Sequence, residues 1–481
     1  MSYWVYLILA GVVILLAVIL GRAVAFRSRR YTVDPLPAPK IDINRAAERL
    51  SGAVQLPTVA ASDPAKVDRA SFELFIRYLE QAYPQAHAVL EREIVNGYSL
   101  LYRWKGRDAS LKPVLFLAHI DVVPVEKGTE QDWLYPPFSG ALAEGFVWGR
   151  GTMDVKNQLI SIMEAVECLA AEGFTPSRDF YLAFGHDEET RGEEGAVKIS
   201  ELLQSRGLSF EYVLDEGGAV TVGAMPGVKR PLALVGIAEK GYADIRITAQ
   251  GEAGHSSMPP RHTAAGMIGR AVAALERRQR PARISPYLRE TLAHIGPEMG
   301  FGLRLILANL WLFGPLFKLV FKSSRAGNAL LRTTTAVTVL EGGSKPNVLP
   351  RKASAIINYR IAPGESVQEL LHHVRRVVGD ELEVEAIQAT EPSRISPVDS
   401  PGFKAIERAI YAIFPEAVTV PYIVMAGTDA IRYEPLSEQI YRFTPMLISA
   451  EDLERVHGTN ERLSLENIER GIRFYIDLFK R

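Results

Sequence analysis

Two unbroken apolar runs constrain this chain more than any other feature. PVLFLA (113–118) and DFYLAF (179–184) read as strands that have no polar face. Residues 157–172 and 196–205 carry helical spacing between and after them, and a short strand follows at 212–214. Strands that are apolar on both sides must be covered on both sides. The stretch from about 41 to 237 therefore reads as a sheet with helices packed above and below it.

The order of elements then changes. ADIRITA (243–249) alternates as a half-buried strand, a helix is expected at 263–277, and strands at 334–340 and 353–361. A helix at 367–378 and a strand at 381–387 complete β-α-β-β-α-β, the order of a ferredoxin-like sandwich. From about 396 the first pattern resumes, with helices at 402–413 and 465–480. With 481 residues, more than one core is the default. The expected fold is α/β, with a mixed sheet flanked by helices built from 41–239 and 393–481, and an insert at 240–392.

The N-terminus is expected to be a transmembrane anchor within residues 1–30. Positions 4–20 are apolar apart from Gly11, and no charge precedes Arg22. Such a run is just long enough to span, and positive charge after it rather than before it is the reverse of a cleaved signal. Arg22, Arg27, Arg29 and Arg30 argue for a body on the cytoplasmic side. Residues 31–40, TVDPLPAPK among them, read as a Pro-rich linker that lifts the body off the bilayer. A second apolar stretch, 301–321, is interrupted by Arg304, Pro315 and Lys318. A second span, a buried or dimer-interface helix pair, and a lipid- or acyl-binding surface all remain open for it.

Composition narrows the partners. A formal net charge of −1 gives no global field for nucleic acid, and none is expected to bind. The single cysteine, Cys168, excludes an intrachain disulfide and fits a reducing compartment.

The chemistry lies at the ends of the apolar runs. His119 closes one strand in LFLAHID, and Asp121 two residues on points the same way, placed to bond the ring nitrogen left free by a metal. Asp154 opens a helix after Gly149 and Gly151, and Glu188 and Glu189 follow the next strand. Successive side chains diverge, so one of this pair suits a metal and the other the substrate. Asp215 ends the short strand, and His457 lies in RVHGTNER. Imidazoles mixed with carboxylates suit a pair of divalent ions, zinc, cobalt or manganese rather than calcium. Such a pair polarises a carbonyl and activates water, and a nearby carboxylate moves the proton.

These motifs resemble the aminoacylase/carboxypeptidase dizinc amidohydrolase family. AHIDVVPV, the Trp133–Gly140 segment, the GHDEE run, ANLWLFGPL and IYRFTPM resemble its carboxypeptidase S and N-fatty-acyl-amino-acid synthase/hydrolase branch. The resemblance implies two zinc ions, one held by His119, Asp154 and Asp215, the other by Asp154, Glu189 and His457. It implies Glu188 as general base, Asp121 as the group that orients His119, and a cis peptide at Asp154–Val155. The insert would be a lid and dimerisation domain. His255 in GEAGHSS would meet the oxyanion across a homodimer, while Asn347, Arg360 and Gly427 would hold a substrate carboxylate.

The expected activity is hydrolysis of an amide beside a free carboxylate, in N-(fatty)acyl amino acids taken from a lipid membrane. The alternatives are a membrane-tethered metallocarboxypeptidase or dipeptidase acting on peptides, and a non-catalytic metal-binding membrane scaffold.

Overall fold

The computed structural model describes residues 3–481 apart from 35, 38, 62, 64, 65, 224 and 226. Its larger sheet runs in the order Leu90–Val95, Ser99–Trp104, Phe180–Gly185, Val114–His119, Val213–Asp215, Ile440–Arg442 and Leu232–Glu239. Val418–Val424 also pairs with Leu232–Glu239. The sheet is mixed: Val114–His119 is parallel to both of its neighbours, and the first two strands are antiparallel. Phe180–Gly185 and Val114–His119 are buried at every position, as their unbroken apolar sequences require. Helices Lys156–Ala171 and Leu465–Lys480 pack together over one face, and Ala196–Ser205 covers the other.

The second sheet is antiparallel, in the order Thr334–Gly342, Lys352–Ile361, Gly241–Gln250 and Glu383–Thr390. That is the strand order of a ferredoxin-like sandwich. Buried and part-buried residues alternate along most of Gly241–Gln250, and helices Ala264–Arg277 and Val367–Val378 cover one face. Ile245, Ile357, Ile268 and Val374 belong to a core of its own, separate from that of the larger sheet.

Tyr3–Ala25 is one helix of 23 residues, long and apolar enough to cross a membrane, with a mean hydropathy of 2.8 over its most apolar 18 residues. The segment after it departs from expectation. It does not lift the body away but lies along it. Phe26 packs on Gly296, Tyr31 meets Tyr411 edge-on at 5.0 Å, and Lys480 Nζ donates to the carbonyl of Pro37 at 2.7 Å. Val33 packs against the core of the larger sheet, and Pro39 is buried. Positions 35 and 38 of this linker lie outside the described residues.

Candidate metal centre

The parallel strands Phe180–Gly185, Val114–His119 and Val213–Asp215 end at one edge of the sheet. The carboxyl ends of parallel strands leave a crevice into which successive loops project. His119 is the last residue of its strand, and the turn Glu188–Thr190 follows its neighbour. Asp154 comes from the loop that opens helix Lys156–Ala171, and His457 from the loop after Ala450–Leu453.

Asp154 gives one oxygen to each imidazole. Its Oδ1 lies 3.1 Å from His119 Nε2, and its Oδ2 lies 2.8 Å from His457 Nε2. Glu189 Oε1 stands 3.4 Å from His457 Nε2 and is buried without a hydrogen-bond partner. Among the described residues, three sets converge with ligand atoms within 4.8 Å of one another: His119, Asp154 and Glu216; His119, Glu188 and Glu189; Asp154, Glu189 and His457.

Asp215, expected as a ligand, joins none of these sets, whereas Glu216 does, with Oε1 at 3.6 Å from His119 Nε2. Neighbouring side chains at a strand end point to opposite sides. Asp215 is left buried in the field of Arg442 and Glu239, its Oδ1 accepting from the Glu216 amide at 2.8 Å.

Asp121 does more than orient His119. Its main-chain carbonyl lies 2.9 Å from His119 Nδ1, and its Oδ1 lies 3.4 Å away. Its carboxylate accepts from the amides of Glu188 at 3.2 Å and Glu189 at 3.1 Å, and so holds the acidic turn in place. The Asp154 loop has a holder too. Buried Glu461 accepts from the amides of Gly151 (3.0 Å) and Met153 (2.7 Å) and from Arg150 Nη1 (2.8 Å). Gly151 has φ +86°, and a side chain there would strike Val122. The peptide Asp154–Val155 is cis.

The charges explain one another. Burial works to lower the His119 imidazole, but hydrogen bonds that it donates to Asp121, Asp154 and Glu216 raise it well above the ordinary value. Burial would lift Asp154, yet His119 and His457 hold its carboxyl below the usual range. Burial raises Glu188 well above that range and pushes Glu216 up to about 8, with the Asp154 charge adding to the latter. More carboxylates are gathered here than two imidazoles can balance, a donor set suited to cations.

Two cavities meet at this cluster and share Glu188, Glu189, Gly427 and Thr428 in their walls. One, of about 460 Å³, is mainly apolar, with Ala219, Leu234, Tyr422, Val424, Met446 and Ile448 among its lining. The other, of about 410 Å³, is polar and carries Arg191, Lys240, Arg360 and Arg432 beside the carboxylates Glu188, Glu189, Glu239 and Asp429.

The sequence profile described as peptidase family M20/M25/M40 matches residues 115–481. The chain belongs to this family. It is 38% identical to the N-fatty-acyl-amino acid synthase/hydrolase of Xenopus tropicalis, over 98% of this chain and 93% of that one. It is also 38% identical to carboxypeptidase S-like 2 of Dictyostelium discoideum, over 98% and 92%. Carboxypeptidase S of Saccharomyces cerevisiae is 32% identical, over 91% and 84%. Among solved structures, the M20 metallo-carboxypeptidase Sso-CP2 of Sulfolobus solfataricus superposes with TM-score 0.63 at 18% identity, covering 90% of this chain and 98% of that one. This M20 chain is thus a metal-dependent hydrolase, and enzymes of the family use two metal ions. The unpartnered Glu189 oxygen and the imidazole–carboxylate donors fit such a pair.

The substrate residues expected of an M20 enzyme divide into two groups. Arg360 and Gly427 line the polar cavity, with Arg360 stacked 5.0 Å over the Tyr242 ring. His255 and Asn347 belong to none of the converging sets and line neither cavity. His255 is exposed on a two-residue strand paired with Val348–Leu349, its Nδ1 2.8 Å from Ser257 Oγ, and the Asn347 carbonyl accepts from the Ser256 amide at 3.2 Å. The roles of Glu216, Glu461 and Lys240 escaped the sequence reading. Acidic spacing alone could have flagged only Glu216.

Proposed function

We propose that this M20 chain hydrolyses the amide bond of N-acyl amino acids, long-chain ones above all. The observation that carries this reading is the cluster's position between an apolar cavity and a polar one whose lining includes Arg360. An amide at the cluster would send its acyl chain one way and its carboxylate the other. Arg360 suits the carboxylate because a guanidinium can bind both its oxygens. The Gly427 turn, on the shared wall, completes that end.

Two divalent ions, zinc before cobalt or manganese, would polarise the amide carbonyl and acidify a water. His119, Asp154 and Glu216 would hold one, and Asp154, Glu189 and His457 the other. Glu188 takes the water's proton and delivers it to the leaving nitrogen. Its burial favours holding that proton between the two transfers. Asp121 keeps Glu188 and Glu189 in place through their amides.

Residues 41–239 and 393–481 form the catalytic body in this reading, and 240–392 the lid. His255 and Asn347, exposed on the lid, serve a second copy in a homodimer. The apolar helix Tyr3–Ala25 anchors the enzyme in the lipid that holds its substrate, and the arginines after it favour a cytoplasmic body. A second reading, a membrane-tethered carboxypeptidase or dipeptidase, draws support from the carboxypeptidase S relatives.

The carboxylate end is tested by comparing N-oleoyl-phenylalanine with its carboxamide. The proposal expects the acid to be cleaved and the carboxamide to be nearly inert. Equal rates would remove Arg360 and the polar cavity from recognition.

A further inference from the structure

Helices Phe301–Ala308 and Leu310–Phe321 meet at 114°. Their corner is wedged against the last turns of the N-terminal helix, where Ile19 and Ala23 are that helix's buried residues. Asn309 at the corner is fully buried, and its Nδ2 donates to the carbonyls of Ile19 (3.0 Å) and Leu305 (2.9 Å). Arg22 Nε donates to the Ala308 carbonyl at 3.1 Å. Polar groups at the helix break thus find partners within the protein, the condition for broken helix at membrane depth. The outer face is the opposite in character. Trp311, Leu312, Leu316, Leu319 and Val320 are all 40–63% exposed. An apolar face of this kind marks a partner or a membrane.

Two further observations decide the occupant. The chain leaving the N-terminal helix is laid on the body through Phe26, the Arg29–Glu290 pair and Tyr31, so the body cannot stand away from that helix. Ile19 also lies about 9 Å along the axis from Ala25, at roughly 1.5 Å per residue. In a helix that spans a hydrocarbon core of about 30 Å, that level is within the lipid or at its border. The corner fixed to Ile19 lies at the same level, and exposed Lys322 and Arg325 follow the second helix where headgroups would lie.

We propose that 301–321 is a second membrane element, a re-entrant wedge in the leaflet that holds the C-terminal end of the N-terminal helix. Together the two fix the tilt of the catalytic body on the bilayer. The inference rests on the reading of Tyr3–Ala25 as an anchor.

The test uses the full chain in phosphatidylcholine vesicles, with Cys168→Ser and one environment-sensitive label at a time. Leu319→Cys reports the wedge, Leu16→Cys the anchor and Leu74→Cys the body; all three side chains are exposed. Metal content equal to the parent's certifies folding. The quenchers are a doxyl lipid labelled near its headgroup and aqueous iodide. The proposal expects the labels at 319 and 16 to lose most of their fluorescence to the lipid and little to iodide, with the reverse at 74. Lipid quenching at 16 with iodide quenching at 319 would overturn the wedge and leave the anchor standing. Shielding of 319 from both quenchers would overturn it in favour of a second copy. Lipid quenching at neither 16 nor 319 would remove the anchor and the wedge together.

Discussion

Glu216 Oε1 lies 3.6 Å from Nε2 of His119, at the place where the preceding residue was expected. Glu216→Gln should therefore lower the bound metal from two ions per chain toward one. Asp215→Asn should keep both, because its carboxylate lies outside the converging sets. Elemental analysis of the purified variants decides, and the opposite pattern would return the ligand role to Asp215.

Glu188→Gln should retain metal and the fold while losing hydrolysis. A positioned proton-transfer group contributes about 10²–10⁴-fold, so a loss in kcat of that order is expected with KM little changed. Survival of most of the rate would move the base elsewhere.

The wall between the two cavities rests on a buried ion pair. Arg442 Nε donates to Glu239 Oε1, and both side chains are 1% exposed. The same carboxylate accepts from the Thr428 hydroxyl at 2.7 Å and the Thr428 amide at 3.2 Å. Arg442→Met leaves Glu239 buried and unbalanced and should cost about 3–5 kcal/mol in chemical unfolding. Glu239→Gln added to it should recover part of that loss, and a harmless Arg442→Met would contradict the assignment.

Lys240 supplies a pH signature. Burial pushes its ammonium down to about 8 from an ordinary 10.5, with Glu365 opposing the shift. Between those values the unfolded chain holds a proton that the folded chain has released, so stability rises with pH across that window. Below it both states are protonated and the cost of the buried charge is full. Subtracting the unfolding free energy of Lys240→Met should leave a difference that climbs above about pH 8 and is flat below it. A flat difference throughout would place the lysine in water.

The sequence showed most of the fold because apolar runs and helical spacing are local signals. The strand at 114–119 and the helix at 465–480 follow directly from them. His119 and Asp154 were legible because one ends a strand and the other precedes a helix, whereas Glu189 and His457 lie in the turns between elements. The choice between Asp215 and Glu216 was not legible, since it depends on which way the last residue of a three-residue strand turns. Nor was the reach of Glu461, whose partners lie some 300 positions away. Residues 301–321 look like one apolar stretch until Asn309 turns its side chain back to Ile19. The Pro-rich linker misled because stiffness in sequence does not show whether a surface lies beside it.

The most direct test of the account is kcat/KM for N-acyl-phenylalanines from acetyl to oleoyl, measured beside dipeptides on the zinc-loaded full chain. Each methylene buried contributes about 0.8 kcal/mol, so three or four in the apolar cavity should raise kcat/KM roughly a hundredfold. That rise is expected, with long-chain substrates ahead of every dipeptide. Rates that fall with chain length and favour dipeptides would contradict it and make the protein a membrane-tethered peptidase.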